Sequence, residues 1–146
     1  MHLLLENMLP HLLFGNVSDM LFLLGEIKTC AVGACLDTGH ARLSGDLDGV
    51  FHKLSRHLQM VHISDNLGDW DAHLVPGEGS IDWPWVVDQL LYHQFAGGLI
   101  IEMAARDKES VPATLARATR GREFLTSVLE AQAGSASIPT QHSRHG

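Results

Sequence analysis

The stretch Cys35-Leu36-Asp37-Thr38-Gly39-His40 decides the fold, because an apolar run ends there in a carboxylate, a glycine and an imidazole. A buried parallel strand of an α/β protein delivers polar side chains to the edge of its sheet in this way. Three other apolar runs end in the same manner, at Glu6, His62 and Glu102. The pattern therefore predicts strands over about 2–6, 32–36, 59–63 and 98–102, each ending at a potential metal ligand.

Between these strands, apolar residues at helical spacing predict four helices. They are expected over about 19–28, 46–57, 82–94 and 110–132. The segments 37–45 and 64–80 are predicted to be loops, and a loop as long as the second is usually functional or disordered. In the last helix, Arg117 is expected on the solvent side. The apolar residues that this helix should bury are Val111, Leu115, Ala118, Leu125 and Leu129.

Strands that alternate with helices imply a parallel sheet with right-handed crossovers. Two α/β architectures fit this order: a small open sheet wound on both faces, and one half of a (β/α)8 TIM barrel. A full barrel takes about 250 residues, so four βα units over residues 1–132 match about half of one. In a barrel the strand ends converge on one axis, and four strand-terminal ligands can then meet at one ion. That convergence favours the half-barrel.

The composition limits the possible partners. The net charge of −7 counts against a nucleic-acid binder, which usually presents a basic face. Apolar runs stay well below the roughly 20 residues of a membrane helix. The two cysteines lie in or beside an apolar run, which predicts a reducing, cytoplasmic location. Residues 133–146, rich in alanine, glycine and serine, are expected to form a disordered tail.

The four strand-terminal residues offer oxygen and nitrogen ligands without a thiolate. Such a set suits Mn²⁺, Mg²⁺, Co²⁺ or Zn²⁺. A single carboxylate after a strand is often only a helix cap or a solvated loop residue. Four such residues in series are hard to explain in that way. The predicted metal ligands are Glu6, Asp37, His62 and Glu102.

Three further residues could join this site. His40 follows Asp37 by three positions, and Gly39 is expected to permit a tight turn between them. The alternative is a histidine that bonds a backbone carbonyl. Asp71 and His73 stand two apart, so in an extended segment they point the same way and could share an ion or a substrate. Taken alone, that spacing is a weak signal.

The ordered set of motifs resembles the second half of the xylose isomerase-like barrels, over about residues 2–130. This superfamily holds isomerases and epimerases of sugars and sugar phosphates, and apurinic-site endonucleases of the endonuclease IV type. The motifs that carry the resemblance are Leu5-Glu6-Asn7, Cys35 to Ala41, His62 to Asp65, His73 to Trp83 and Ile101-Glu102.

The resemblance implies roles for individual residues. The four strand-terminal residues would be the family's metal ligands, and in the epimerases Glu6 and Glu102 would also move protons on the two faces of the substrate. His40 resembles a substrate contact of the isomerases and a second-metal ligand of the nucleases. Asp71 and His73 resemble a further metal pair of the nucleases, although many sugar isomerase-like proteins keep a similar pair.

The implied function is a metal-dependent isomerase or epimerase of a small sugar or sugar phosphate. It would transfer a proton through an enediolate, with Glu6, Glu102 and His40 as catalytic residues. Two alternatives stay open: a fragment of an endonuclease IV-type enzyme, and a metal-binding half-barrel without turnover. Strands one to four of the family have no counterpart in this sequence. We therefore expect a truncated or split form that self-associates or pairs with a separate N-terminal half chain.

Overall fold

A computed structural model describes residues 2–135, in which parallel strands alternate with helices. Each predicted strand is present, with its ends shifted by one residue at most. The elements are β1 (His2–Glu6), α1 (Val17–Glu26), β2 (Ala31–Asp37), α2 (Thr38–Leu43), α3 (Leu47–Leu54), β3 (Leu58–Ile63), α4 (Trp83–Tyr92), β4 (Gly98–Ile101) and α5 (Val111–Ser135). Within this part of the chain, no helix combines the length and the hydropathy needed to cross a membrane.

The four strands form one parallel sheet in the order β1-β2-β3-β4, so every strand lies beside its successor. This is the order of half a TIM barrel, as predicted, and not that of a sheet wound in two directions. The register is staggered, because Glu6 pairs with Cys35 whereas Asp37 pairs with His62. A stagger of this kind is what tilts the strands of a barrel.

The core lies between one face of the sheet and the helices. Ala34, Leu36, Val61 and Ile63 point to that side and are almost fully buried. The helices cover them chiefly with Met20, Leu24, Phe51, Leu54, Trp83, Val86 and Leu90. Since side chains alternate along a strand, the metal-ligand candidates point to the opposite face, the inner side of a barrel.

Short polar side chains start most of the helices. Asn16, Asp37, Asp46 and Asp82 each accept a backbone N–H from the first turn of α1, α2, α3 and α4. Such caps satisfy N–H groups that have no partner inside the helix. The prediction of a loop over 37–45 was wrong, because α2 occupies most of it. With six residues, this helix is too short to show a helical period in the sequence.

The long segment between β3 and α4 is organised by the carboxylate of Asp65, which is fully buried. Five N–H groups donate to it at 2.8 to 3.2 Å, four from the backbone and one from an indole ring. The donors are Asn66, Gly77, Gly79, Ile81 and the Trp83 side chain. The bonds to this carboxylate fold the segment back over the carboxyl ends of the strands. Asp71 and His73 lie in this segment.

Helix α5 departs from prediction in three ways. Arg117 is 2% exposed, because its guanidinium donates to Glu109 and to the carbonyl of Ala104, and this pairing lowers the pKa of Glu109. Val111, Leu115 and Leu129 are 81%, 65% and 46% exposed rather than buried. The helix also continues to Ser135, into the segment predicted as a tail; the rest of that segment lies outside the described residues.

Apolar groups are left open at both edges of the sheet. Leu3 on β1 is 40% exposed, and Leu99 and Ile100 on β4 are 53% and 44% exposed. On the helix side, a cavity of about 480 Å³ separates β4 from α4 and α5. In a closed barrel, neighbouring strands and helices cover such surfaces.

Replacement of Asp65 by alanine is expected to lower the free energy of unfolding by at least about 3 kcal/mol, because five donors lose a charged acceptor. Urea denaturation measures this loss. Asp69→Ala is the matched control in the same loop, because Asp69 is exposed and accepts one bond, from the Trp70 backbone. Its effect should stay below about 1 kcal/mol. Equal losses in the two variants would contradict the role given to Asp65.

The isolated chain is expected to self-associate through its open edges, and size-exclusion chromatography with light scattering measures its mass. Leu3→Lys should shift the distribution toward monomer, since a lysine on an edge strand opposes pairing. Tyr92→Lys is the control, because Tyr92 is 79% exposed and lies on helix α4 rather than on an edge strand. A wild-type chain that elutes as a stable monomer at micromolar concentration would contradict the expectation.

Candidate metal centre

The ends of four neighbouring strands converge at one point on the inner face of the sheet. Glu6 ends β1, Asp37 ends β2, His62 lies near the end of β3 and Glu102 directly follows β4. Each offers one ligand atom, and these atoms lie within 4.8 Å of one another. The structure thus brings together the four residues that the sequence singled out as metal ligands.

His62 occupies the middle of this group. Its Nδ1 lies 2.8 Å from Oε2 of Glu102 and 3.3 Å from Oε1 of Glu6. Neither contact has the geometry of a hydrogen bond, so this buried nitrogen has no hydrogen-bond partner. A buried polar atom without a partner is rare in proteins and calls for an explanation.

Asp37 is fully buried and has a second unpartnered atom. Its Oδ1 accepts the N–H of His40 at 2.7 Å, whereas Oδ2 has no hydrogen-bond partner. Burial raises the pKa of this carboxyl to about 6; Glu6 and Glu102 add to the rise, and His40 opposes it. A carboxylate is therefore held at a position where its own charge is unfavourable.

The four residues fit a divalent cation. Two buried atoms without partners, Asp37 Oδ2 and His62 Nδ1, belong to one group of potential ligands. Three carboxylates and an imidazole match the ligand chemistry of Mn²⁺, Mg²⁺, Co²⁺ and Zn²⁺. A cation there would favour the charged form of Asp37, which burial and, to a smaller extent, Glu6 and Glu102 disfavour.

Asn7 fixes the backbone beneath the site, a role that the sequence analysis missed. This residue is 3% exposed and joins β1 to β2. Its side chain donates to the carbonyl of Asp37 at 3.1 Å and accepts the N–H of Asp37 at 2.8 Å. Its own carbonyl lies 2.9 Å from Nδ1 of His40. An amide directly after a strand-terminal ligand is the signal that could have revealed this role.

A second group lies beside the first and consists of His40, Asp71 and His73. Oδ2 of Asp71 is 3.4 Å from Nε2 of His40 and 3.0 Å from Nε2 of His73. Nδ1 of His73 is 3.7 Å from Oε1 of Glu102, which links the two groups. His40 precedes β3 in the chain, whereas Asp71 and His73 follow it, and the fold brings the three side chains together.

His40 makes both kinds of contact considered for it, since it bonds the Asn7 carbonyl and also lies in this cluster. Burial lowers the pKa of His40, but Asp37, the Asn7 carbonyl, Asp71 and Glu6 raise it, and the net shift is upward. Its imidazole therefore holds a proton more strongly than a free histidine does.

Close packing rather than a tight turn explains Gly39. This glycine is helical, and a Cβ built there would lie 2.6 Å from Oγ of Ser64. That approach lets α2 contact the segment after β3, where Thr38 Oγ1 donates to the Ser64 carbonyl at 2.7 Å.

His73 has a φ of 43°, in the left-handed region that few side chains adopt. Backbone strain of this kind is often found at functional sites.

Comparisons with known proteins identify the class. A sequence profile of the xylose isomerase-like TIM barrel matches residues 1–128. The chain belongs to this family. Among curated proteins, 55 residues are 44% identical to an uncharacterized protein of Sinorhizobium fredii, and they cover 36% of this chain and 17% of that protein.

Solved structures with the same fold include several sugar epimerases. A D-tagatose 3-epimerase-like protein is 26% identical, with a TM-score of 0.76 over 90% of this chain and 48% of its own. L-ribulose 3-epimerase is 18% identical, with a TM-score of 0.77 over 97% of this chain and 51% of its own. The chain therefore spans about half the length of these proteins.

Asp37→Asn is expected to stabilise the metal-free protein at pH 7 and to abolish its stabilisation by metal. The variant keeps an Oδ1 acceptor for the His40 N–H but removes the buried charge. Because the pKa of Asp37 is raised from 3.8 to about 6, ionisation costs folding free energy as pH rises through that range, by about 2–3 kcal/mol in total. The gain should therefore vanish near pH 4.

Thermal melts with chelator and with excess Mn²⁺ measure both effects. Asp46→Asn is the matched control, since Asp46 also caps a helix but is exposed. It should leave the metal-induced rise unchanged; that rise corresponds to about 2.7 kcal/mol at a hundredfold excess over Kd. An Asp37→Asn protein that Mn²⁺ still stabilises fully would contradict the proposed ligand set.

Proposed function

We propose that this chain is the metal-binding half of an isomerase or epimerase of a small sugar or sugar phosphate. The observation that carries the proposal is the convergence of two accessible glutamates on a centre with unpartnered buried ligand atoms. Its structural neighbours include epimerases of D-psicose and L-ribulose, so a ketose is the best-supported substrate class.

Exposure divides the ligand residues into two kinds. The side chain of Asp37 is fully buried, so it would act on the cation alone. The side chains of Glu6 and Glu102 are 29% and 41% exposed, so they remain accessible to a substrate. They come from the two edge strands of the sheet and approach His62 from different elements.

This placement suits proton transfer with two carboxylates. One glutamate would take the proton from the carbon beside the carbonyl, and the other would return a proton to the opposite face of the resulting enediolate. A divalent cation held by Glu6, Asp37, His62 and Glu102 would supply charge stabilisation for the oxygens of the substrate. His40, whose pKa is raised, would hold a proton beside Asp71 for a substrate oxygen.

The barrel requires four further βα units, whether from more of the same polypeptide, a separate chain or a second copy. Ile100, which pairs with His62 on the inner face of the sheet, is 44% exposed, and this face would form one wall of the substrate pocket. Both cysteines are free, which accords with the reducing cytoplasm proposed as the location.

A second candidate, hydrolysis at abasic sites in DNA, is favoured by the His40–Asp71–His73 group. A second cluster of potential ligands beside the first would suit a multi-ion phosphodiesterase. The net charge of −7 opposes DNA binding, so we rank this candidate second. Nicking of a duplex with one abasic site would reverse the order. If ketose exchange and nicking both failed while Mn²⁺ still bound, a half-barrel without turnover would be favoured.

The proposed chemistry predicts that the Mn²⁺-loaded protein incorporates deuterium from solvent beside the carbonyl of a ketose. D-tagatose, D-psicose and L-ribulose are suitable probes, and proton NMR follows the loss of the exchanged signal. Glu6→Gln and Glu102→Gln should each slow this exchange by at least about a hundredfold, since each removes a proton-transfer group.

Glu130→Gln serves as the control, because Glu130 is exposed on α5 and lies outside the site. It should exchange at the wild-type rate. Epimerisation without any incorporation of deuterium would contradict proton transfer. Exchange that persists in both active-site variants would contradict the roles given to the two glutamates.

A further inference from the structure

The thiol of Cys35 is a buried nucleophilic group that the proposed chemistry does not use. Cys35 is 3% exposed and lies on β2, two residues before Asp37 and on the same face of the sheet. In the strand register it is the partner of Glu6. Two residues of a strand span about 6.6 Å, so the thiol lies one layer deeper in the barrel than the Asp37 carboxylate.

This thiol lies close to two of the four ligand candidates. Sγ of Cys35 and ligand atoms of Glu6 and His62 are all within 4.8 Å of one another. His62 Nδ1 is buried without a hydrogen-bond partner, and so is Oδ2 of the fully buried Asp37 in the overlapping group. Of these two residues, His62 belongs both to the oxygen-rich group and to the group that contains sulfur, whereas Asp37 belongs to the oxygen-rich group alone.

We propose that Glu6, Cys35 and His62 form a second, soft-metal binding mode of this centre, which takes thiophilic divalent cations such as Zn²⁺ or Cd²⁺. Sulfur, nitrogen and one carboxylate oxygen are three ligands of the kind that zinc sites use, with a fourth position left for water. Binding would break the S–H bond of Cys35, release its proton to solvent and form a metal–sulfur bond.

The two binding modes differ in the cations that they favour. Mg²⁺ and Mn²⁺ prefer oxygen ligands and would bind the group that contains Asp37 and Glu102. A thiolate ligand favours softer ions. Because Glu6 and His62 belong to both groups, one cation excludes the other. A thiophilic ion bound to Cys35 would leave Asp37 and Glu102 without a cation, so Cd²⁺ should act as an inhibitor of the Mn²⁺ form.

The inference shares residues with the proposed catalytic centre but does not require turnover. Titration of the metal-free chain with Cd²⁺ tests it through the ultraviolet sulfur-to-cadmium charge-transfer band. One equivalent should produce the band in the wild type and in Cys30→Ser, the matched control for the other cysteine. Cys35→Ser should bind Cd²⁺ without the band, and excess Mn²⁺ should raise the concentration of Cd²⁺ needed in the wild type.

A second variant keeps the test independent of how Cys35→Ser folds. Glu6→Gln retains both cysteines and should weaken Cd²⁺ binding by at least about tenfold, measured by equilibrium dialysis. A band that survives in a folded Cys35→Ser protein, or bound Cd²⁺ without a band in the wild type, would overturn the inference. Either result leaves the proposed function intact if Mn²⁺ still binds. A protein that gives the cadmium band but fails to bind Mn²⁺ would instead contradict the proposed function.

Discussion

Negative charge gathered at one edge of the sheet is the constraint on which this centre depends. Parallel strands end on the same side, so the carboxylates of Glu6, Asp37 and Glu102 are brought together by the backbone alone. Their ion-pair partners in the described chain are histidines. Burial and mutual repulsion together keep the pKa of Asp37 high, which means that the fold stores an unfavourable charge where a cation would relieve it. The proposed affinity for a cation would thus be a result of strand direction.

Hydrogen bonds beneath the carboxylates hold these three groups close together. Asn7 fixes the backbone of Asp37 from β1, and the Thr38 hydroxyl joins the start of α2 to Ser64 after β3. The buried carboxylate of Asp65 then holds the following segment in place through five donors. These hydrogen bonds keep the candidate ligands close together, as a preorganised site requires.

The strand ends and the four converging residues were predictable, because an apolar run that stops at a polar side chain is a local signal. Helix α2 was not, since six residues do not complete two turns and its start depends on the cap from Asp37. Burial of Arg117 follows from Glu109 and the Ala104 carbonyl, which are neighbours in space but lie eight and thirteen residues away in sequence. The bonds of Asp65 to Gly77 and Ile81 join residues that are twelve and sixteen positions apart in the sequence. Contacts of this range leave no periodic trace in a single sequence.

All four strand-terminal groups come from consecutive strands, between Glu6 and Glu102. The four proposed metal ligands therefore lie within one contiguous stretch of the sequence, whereas the opposite wall of a complete barrel would come from four other βα units. Recombination could exchange that wall and leave the ion-binding geometry undisturbed. A fold arranged in this way would allow the choice of substrate to diversify in evolution while the proposed metal ligands are inherited together.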